Sequence, residues 1–212
     1  IVAVDGETGR FRAHHWMDNG FAGGISEFEA DATPYKDVTV LVQGRAIVDE
    51  DDYDLLVNIN HEDRGFVEMH FKEYRKYYDP TGGKYYPFTQ IGTLEGPEDL
   101  QLNIGEFKIT GHAKLDRLPD VTLTYEHEYR DGMKSRLTWA AVQEGGVSRN
   151  VAPSWQDIDE ATDSFEVRLD DSFKGFDWYV SQYWESYEGD YTRYERLMST
   201  NTTASQNKTR DQ

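Results

Sequence analysis

The chain has 212 residues, a formal net charge of -18 and no cysteine. Its acidity excludes a protein whose main partner is a nucleic-acid backbone, because phosphate contacts need clustered Lys and Arg, and the lack of cysteine excludes disulfides, thiolate metal sites and a cysteine nucleophile. Hydrophobic residues make up only 37% while aromatic residues reach 14%, which argues against a large conventional core and favours β-structure.

Strand-like segments recur through most of the chain, separated by Gly, Asp, Asn and Pro. In these segments apolar and polar residues alternate, the pattern of a strand with one apolar face. No segment has a convincing 3.6-residue apolar period, so we predict consecutive antiparallel strands and essentially no long helix. The alternating segments occupy 37–48, 53–60, 66–75, 100–115, 121–130, 164–171 and 176–187.

The segment 121–130 shows the pattern most clearly, with Val121 and Leu123 on one face and Glu126 and Glu128 on the other. About ten alternating residues exceed an average soluble strand and match a membrane-spanning one. Lipid would cover the apolar side, and a water-filled lumen would solvate the charges. No run approaches 18 apolar residues, which excludes a transmembrane helix, whereas a barrel keeps a polar average such as this chain's mean hydropathy of -0.78.

The connections between these segments are unequal in length, and counting strands places the short ones at one end of the sheet. Outer-membrane barrels have this asymmetry, although a soluble sandwich can also show it. We therefore predict an all-β, antiparallel up-and-down transmembrane β-barrel, or a contiguous part of a larger one. The short turns are predicted at 61–65, 116–120 and 171–175, and the long loops at 77–99, 141–163 and beyond 188.

Aromatic residues cluster where predicted strands leave for loops, as they do in the girdles of membrane barrels. A carbohydrate-binding platform or ordinary cross-strand pairs would give a similar cluster. The girdle candidates are Tyr74, Tyr77, Tyr78, Trp139, Trp178, Tyr183 and Trp184.

Several stretches resemble large bacterial outer-membrane barrels of the MtrB/PioB-type, decahaem-associated porin-like family. The resemblance is carried by 71–88, which contains "YYDPTGG", by 105–139 and by 150–170, which contains "PSWQDIDE". The stretch 9–20 is similar to the segment with which such barrels open. The resemblance extends loosely from residue 9 to the end of the chain.

This resemblance implies a pore or sleeve in the outer membrane of a Gram-negative bacterium, in some members enclosing a multihaem cytochrome. The chain lacks the N-terminal cysteine pair of many cytochrome-associated members and is several times shorter than such barrels. We therefore expect it to be an N-terminal portion of a longer barrel. We treat 1–212 as one barrel domain or barrel portion, with an N-terminal tail at 1–8 and a polar loop at 199–212.

In a barrel, the charged residues that face the lumen would set ion selectivity, unless they pair across strands and only fill the interior. The alternation predicts a mixed set of acidic and basic residues on this face. The lumen candidates are Arg45, Glu68, His70, Lys72, Lys108, Glu126, Glu128, Arg130 and Arg168.

Metal and catalytic motifs are weak. Asp157, Asp159, Glu160 and Asp163 could bind calcium between long loops, but a solvated acidic loop explains them better. Glu126 and Glu128 lie about 7 Å apart on one face of a strand, which suits two-carboxylate catalysis but also any acidic strand. We predict no catalytic residue and no cofactor.

We therefore expect a non-enzymatic, porin-like channel or membrane sleeve whose partners are outer-membrane lipid and lipopolysaccharide. One alternative is a scaffold barrel around a multihaem cytochrome or another periplasmic partner. A second is a secreted all-β module whose aromatic residues bind carbohydrate.

Overall fold

In a computed structural model of the chain, the structure describes residues 2–6, 8–78, 100–144, 147–198 and 205–211. It describes the side chains of these residues except 138, 140–144, 147–149, 151–153 and 194–211. The helices are α1 (Thr8–His15) and a 3-10 turn (Val48–Glu50). The strands are β1 (Gly24–Tyr35), β2 (Val38–Ile47), β3 (Asp52–His61), β4 (Gly65–Tyr77), β5 (Gln101–Ala113), β6 (Asp120–Glu144), β7 (Val147–Phe173), β8 (Phe176–Met198) and β9 (Ser205–Asp211).

All nine strands form one antiparallel sheet in which each strand pairs with its sequence neighbours. The predicted all-β up-and-down topology is therefore confirmed. Among the described residues no pairing joins β1 to β8 or β9, so the sheet is open. No helix in this part of the chain is long and apolar enough to cross a membrane.

The seven alternating segments coincide with β2 to β8, but the strand implied at 9–20 by the family resemblance and two predicted long loops were wrong. The stretch 9–20 contains the helix α1 rather than a strand, and the unpredicted strand β1 follows it. The predicted loop 141–163 and the region beyond 188 are mostly strand, because β6, β7 and β8 continue as long paired ribbons. Their Gly, Ser and Asp residues suggested loops, yet the backbone ladder between neighbours holds them extended.

The turns at 62–64, 114–119 and 174–175 lie at one end of the sheet, together with a two-residue turn at 36–37. The predicted end of short turns is therefore confirmed. At the other end, the connection 78–100 is long, but most of it lies outside the described residues, as does much of the "YYDPTGG" motif. Within the predicted polar loop 199–212, Ser205–Asp211 forms β9 beside β8.

The antiparallel register assigns every side chain from β2 to β8 to one of two faces, because opposite residues share a face. One row runs Val42, Val57, Met69, Ile109, Tyr125, Phe165 and Trp184. We call this the apolar face. The adjacent rows, which carry Arg45, Lys108 and Glu126, form the polar face.

Very little of the described chain is buried. The buried residues include Leu102, Ile158 and Gln156, which all lie on the polar face towards the end opposite the short turns. The apolar face is instead exposed, with Leu123 45% and Trp184 52% accessible. The usual order of a soluble sheet, apolar inside and polar outside, is thus reversed.

The β7–β8 turn tests this register. Lys174 and Gly175 both have positive φ, 51° and 80°, as a tight two-residue hairpin turn requires. A Cβ on Gly175 would touch nothing within 4 Å, so Gly175→Ala should cost only the left-handed backbone energy, about 1 kcal/mol in the free energy of unfolding. Urea titration under folding conditions measures it.

Gly111→Ala is the matched control, because a Cβ there also meets nothing within 4 Å and Gly111 is not among the positive-φ residues. It should be neutral or slightly stabilising. Equal losses in both variants would contradict the described turn.

Candidate functional site

The main cavity has a volume of 710 Å³ and is lined mostly by residues of the polar face, although Glu73, Gly105 and Tyr129 of the apolar face also border it. Its lining includes one row of the polar face, with one residue from each of β2 to β8, so the sheet curves around this side. The row is Arg45, Asp54, Lys72, Glu106, Glu128, Thr162 and Tyr187.

All nine lumen candidates lie on this polar face. Arg45, Lys72 and Glu128 belong to the cavity row, and Arg130 lies in the next row beyond it. The remaining five occupy the rows nearer the short turns: Glu68, His70, Lys108, Glu126 and Arg168. The register therefore places these side chains on one face, and their assignment to a lumen that sets selectivity stays a prediction.

Many of these charges are paired across neighbouring strands. Arg45 donates to Asp52 at 2.9 Å, and Lys108 Nζ donates to Glu126 Oε2 at 2.8 Å. His70 Nε2 lies 3.0 Å from Asp54 Oδ1. Such pairs favour the observed alignment of neighbouring strands. The polar face therefore carries both positive and negative side chains.

Glu160 is a second centre of pairing on this face. It accepts a hydrogen bond from Arg130 at 2.9 Å and another from the Tyr187 hydroxyl at 3.2 Å. The Tyr191 hydroxyl also donates to it. Arg130 of β6 and the two tyrosines of β8 therefore hold this carboxylate at one side of the cavity.

Three carboxylates of the polar face come together in a way that could bind a cation. Ligand oxygens of Glu106, Glu126 and Glu128 lie within 4.8 Å of one another. Glu126 is already paired with Lys108, and none of the three is fully buried. Glu126 and Glu128, the candidate carboxylate pair, both belong to this group, and Glu126 is the member that Lys108 binds.

The weak calcium candidates are not gathered into a site. Asp157, Asp159, Glu160 and Asp163 lie in β7, not in a loop, and Glu160 points to the opposite face from the other three. Glu160 is held by Arg130, as described above. Alternation along a strand separates carboxylates that a flexible loop could have brought together.

Towards the end opposite the short turns the apolar face also carries acidic residues, among them Asp131, Asp159 and Asp190. Nearer its middle, Asp163 accepts from the Tyr125 hydroxyl at 2.7 Å and lies 2.8 Å from His127 Nδ1. Tyr129 donates to Glu73, and its ring lies across Gly105. Asp163 and Glu73 are therefore each bonded to a tyrosine hydroxyl.

The girdle candidates do not form one rim. Trp139, Trp178 and Trp184 lie on the apolar face, but Trp184 is in its middle row. Tyr74 and Tyr183 lie on the polar face, so the girdle assignment is wrong for them. Tyr77 is buried, and Tyr78 follows the end of β4 beside Lys76. Position near a strand end does not determine the face, which the register sets.

The N-terminal segment, residues 8–23, closes one end of the polar face. The Trp16 ring stacks on Tyr74, with centroids 5.8 Å apart, and the Arg12 guanidinium lies 4.5 Å from the Tyr77 ring centroid. A second cavity, of 450 Å³, lies between this segment and the ends of β2–β4. The apolar periodicity that identifies a packed helix in a sequence did not predict α1, because none of its residues is buried.

Glu50 anchors that segment. It is 6% exposed, accepts the backbone N–H of Asp18 at 2.9 Å and accepts the Tyr77 hydroxyl at 3.4 Å. Burial raises the pKa of Tyr77, which keeps its hydroxyl protonated as a donor. The carboxylate thus joins the segment to the sheet.

Comparisons with protein-family models, with curated proteins and with solved structures found no match for this chain. The site's interpretation therefore depends on its geometry.

Removing the Glu50 carboxylate should release the N-terminal segment. Hydrogen bonds to a charged group contribute about 1.5–3 kcal/mol, so trypsin should cleave Glu50→Ala after Arg10 or Arg12 at least about ten-fold faster. The measurement is the rate of limited proteolysis, followed by mass spectrometry.

Glu50→Gln is the matched control, because its amide oxygen can still accept from the Asp18 N–H while its NH2 group can donate to the Tyr77 hydroxyl oxygen. It should be cleaved at a rate near that of the unaltered chain. Equal protection of the Ala variant would show that Glu50 does not hold the segment.

Proposed function

We propose that the chain forms the wall, or part of the wall, of an outer-membrane β-barrel that acts as a non-enzymatic, porin-like channel or sleeve. The observation that carries this proposal is the exposure of the apolar face alongside a polar face that curves around a cavity. In water, an exposed sheet face of this kind favours association or aggregation. In a bilayer, the same face is covered by lipid.

The dimensions of the apolar face support a bilayer. From Val121 to Tyr129 the face-forming residues of β6 read Val, Leu, Tyr, His and Tyr. Nine strand residues extend about 30 Å, and tilt reduces their height towards the roughly 25 Å of an outer-membrane apolar band. At the short-turn end, Phe173, Phe176 and Trp178 supply the aromatic residues expected at an interface.

A secreted sandwich fits these observations less well. A sandwich would bury the apolar face against a second sheet, and the described strands all belong to one sheet. A sleeve around a multihaem protein would use the same apolar exterior, and no described feature favours it over a channel. Lipopolysaccharide remains the proposed outer-leaflet partner because the proposal places the chain in that membrane.

Folding should depend on a membrane-like solvent. We expect no cooperative fold in plain buffer and β-type circular dichroism with heat-modifiable gel mobility after addition of an uncharged detergent or lipid, since only these cover the apolar face. A folded monomer in plain buffer would overturn the membrane proposal.

Adjacent residues of β6 offer a sharper test. Leu123 lies on the exposed apolar face and Thr124 on the polar face. Leu123 lies between the short-turn interface and the middle of Val121–Tyr129, so Leu123→Arg should lower the free energy of unfolding from vesicles by about 1–3 kcal/mol, between the cost of Arg at an interface and at the bilayer midplane. Urea titration of vesicle-folded protein measures this.

Thr124→Arg is the control, because it adds the same charge on the side of the water-filled cavity. It should cost clearly less than Leu123→Arg. The reverse order, or equal costs, would contradict lipid contact at Leu123.

A further inference from the structure

Four tyrosines form a ladder along β8: Tyr179, Tyr183, Tyr187 and Tyr191. They recur at every fourth residue, so all four point to the same face of the strand. Their partners on β7 are Asp170, Glu166, Thr162 and Ile158, which places the ladder on the polar face. The first three are 63%, 52% and 57% exposed, and Tyr187 lines the main cavity.

The first three rings are unusual because their cross-strand partners are polar residues, not apolar ones. Lipid contact does not explain them, and neither does a core. Their hydroxyls are anchored: Tyr183 donates to Glu185 at 2.7 Å, and Tyr187 donates to Glu160 at 3.2 Å. An anchored hydroxyl fixes the ring while its face stays accessible.

One ring of the ladder already binds a cation within the chain. The Arg168 guanidinium carbon lies 4.2 Å from the Tyr179 ring centroid, within the range of a cation–π contact. For Tyr183 and Tyr187 the described residues provide no such cation.

The surroundings of these two rings are acidic. Glu166 is the direct cross-strand neighbour of Tyr183, and Glu128 lies in the same row as Tyr187, two strands away. Neither Glu166 nor Glu128 makes a salt bridge among the described residues. Glu185 and Glu160 lie beside the hydroxyls, and only Glu160 has an Arg partner.

We propose that Tyr183 and Tyr187 form a binding track for organic cations, such as quaternary or alkylated ammonium groups, on the polar face. The negative faces of the rings attract the cation, and the carboxylates add charge complementarity. The two rings are four residues apart, about 13 Å along the strand. A ligand with two ammonium groups at that separation would contact both rings.

This proposal does not depend on the membrane function. It requires only that the sheet be folded, in buffer or in an uncharged polyoxyethylene detergent. Failure of membrane insertion and failure of cation binding are therefore separate results.

The experiment titrates the full chain with decamethonium, a bis-quaternary ammonium ion with a long spacer, by isothermal titration calorimetry. Decamethonium should bind more tightly than tetramethylammonium, because only the longer ion reaches both rings. Binding should weaken as salt is added. The N-methyl proton signals should move upfield in NMR spectra because the cation lies over a ring.

Substitutions then identify the rings. Tyr183→Leu and Tyr187→Leu should each weaken decamethonium binding by about three-fold, and the double variant by roughly ten-fold, as expected for exposed cation–π contacts. Tyr183→Phe and Tyr187→Phe keep the ring and should retain binding. Tyr35→Leu, at an exposed tyrosine of β1 outside the ladder, should have no effect. Circular dichroism verifies that each variant folds.

Three results would overturn the proposal. Unchanged affinity in the folded double Leu variant would show that the rings do not bind the ion. Equal loss in Tyr35→Leu would indicate non-specific binding. Binding of maltose with none of decamethonium would assign the ladder to a neutral saccharide instead.

Discussion

The register from β2 to β8, which shifts only between Trp139 and Val142 among the described pairs, is the constraint on which the other features depend. Because residues alternate along a strand, one slip of the register moves every side chain to the other face. A slip between β5 and β6 would separate Lys108 from Glu126 and turn Ile109 towards the charges. The salt bridges of the polar face and the continuity of the apolar face are therefore two consequences of one alignment, and each supports the other.

The hydrogen bonds of Asp163 on the apolar face depend on the same register. Asp163 would be costly on a face covered by lipid, yet it accepts a hydrogen bond from Tyr125 and lies beside His127. A tyrosine is suited to this position because its ring is apolar and its hydroxyl is polar. The ladder on the polar face uses the same residue in the opposite way: the hydroxyls bond to carboxylates and the rings remain open to water. The surroundings of a tyrosine in this protein thus depend on the face of the sheet on which it lies. Position near a loop does not determine that face, so it did not predict which aromatic residues lie on the apolar face.

The sequence alone was sufficient to locate a strand and to assign its faces wherever one face of the strand is apolar. The alternation located β2 to β8 and placed all nine lumen candidates on one face. It failed for β1, β9, the first half of β7 and the ends of β6 and β8, where strict alternation of apolar and polar residues is lost and extension depends on pairing with a neighbour. It also missed α1, whose position depends on contacts such as Glu50 with Asp18, 32 residues apart. The partners of each charge, and the acidic surroundings of the tyrosine ladder, required the register between strands.

The proposed membrane location requires that the backbone groups at both edges of the sheet be paired. Along β8, residues 176–191 have no strand partner on the side away from β7 among the described residues, since β9 pairs only from Thr192 onward. In lipid each unpaired backbone group costs several kcal/mol, so this edge and that of β1 need partners.

Two arrangements would provide those partners, and they differ in what the lumen can do. Because neighbouring strands alternate in direction, β1 and β8 are antiparallel and could close eight strands, whereas β9 runs parallel to β1. An eight-stranded barrel is just wide enough for its side chains to fill, so the salt-bridged polar face would then be packing and the channel would be narrow or absent. Additional strands beside β8 would widen the wall and leave the same charges lining water. The proposed channel therefore requires the wider arrangement, whereas the exposed apolar face is compatible with both.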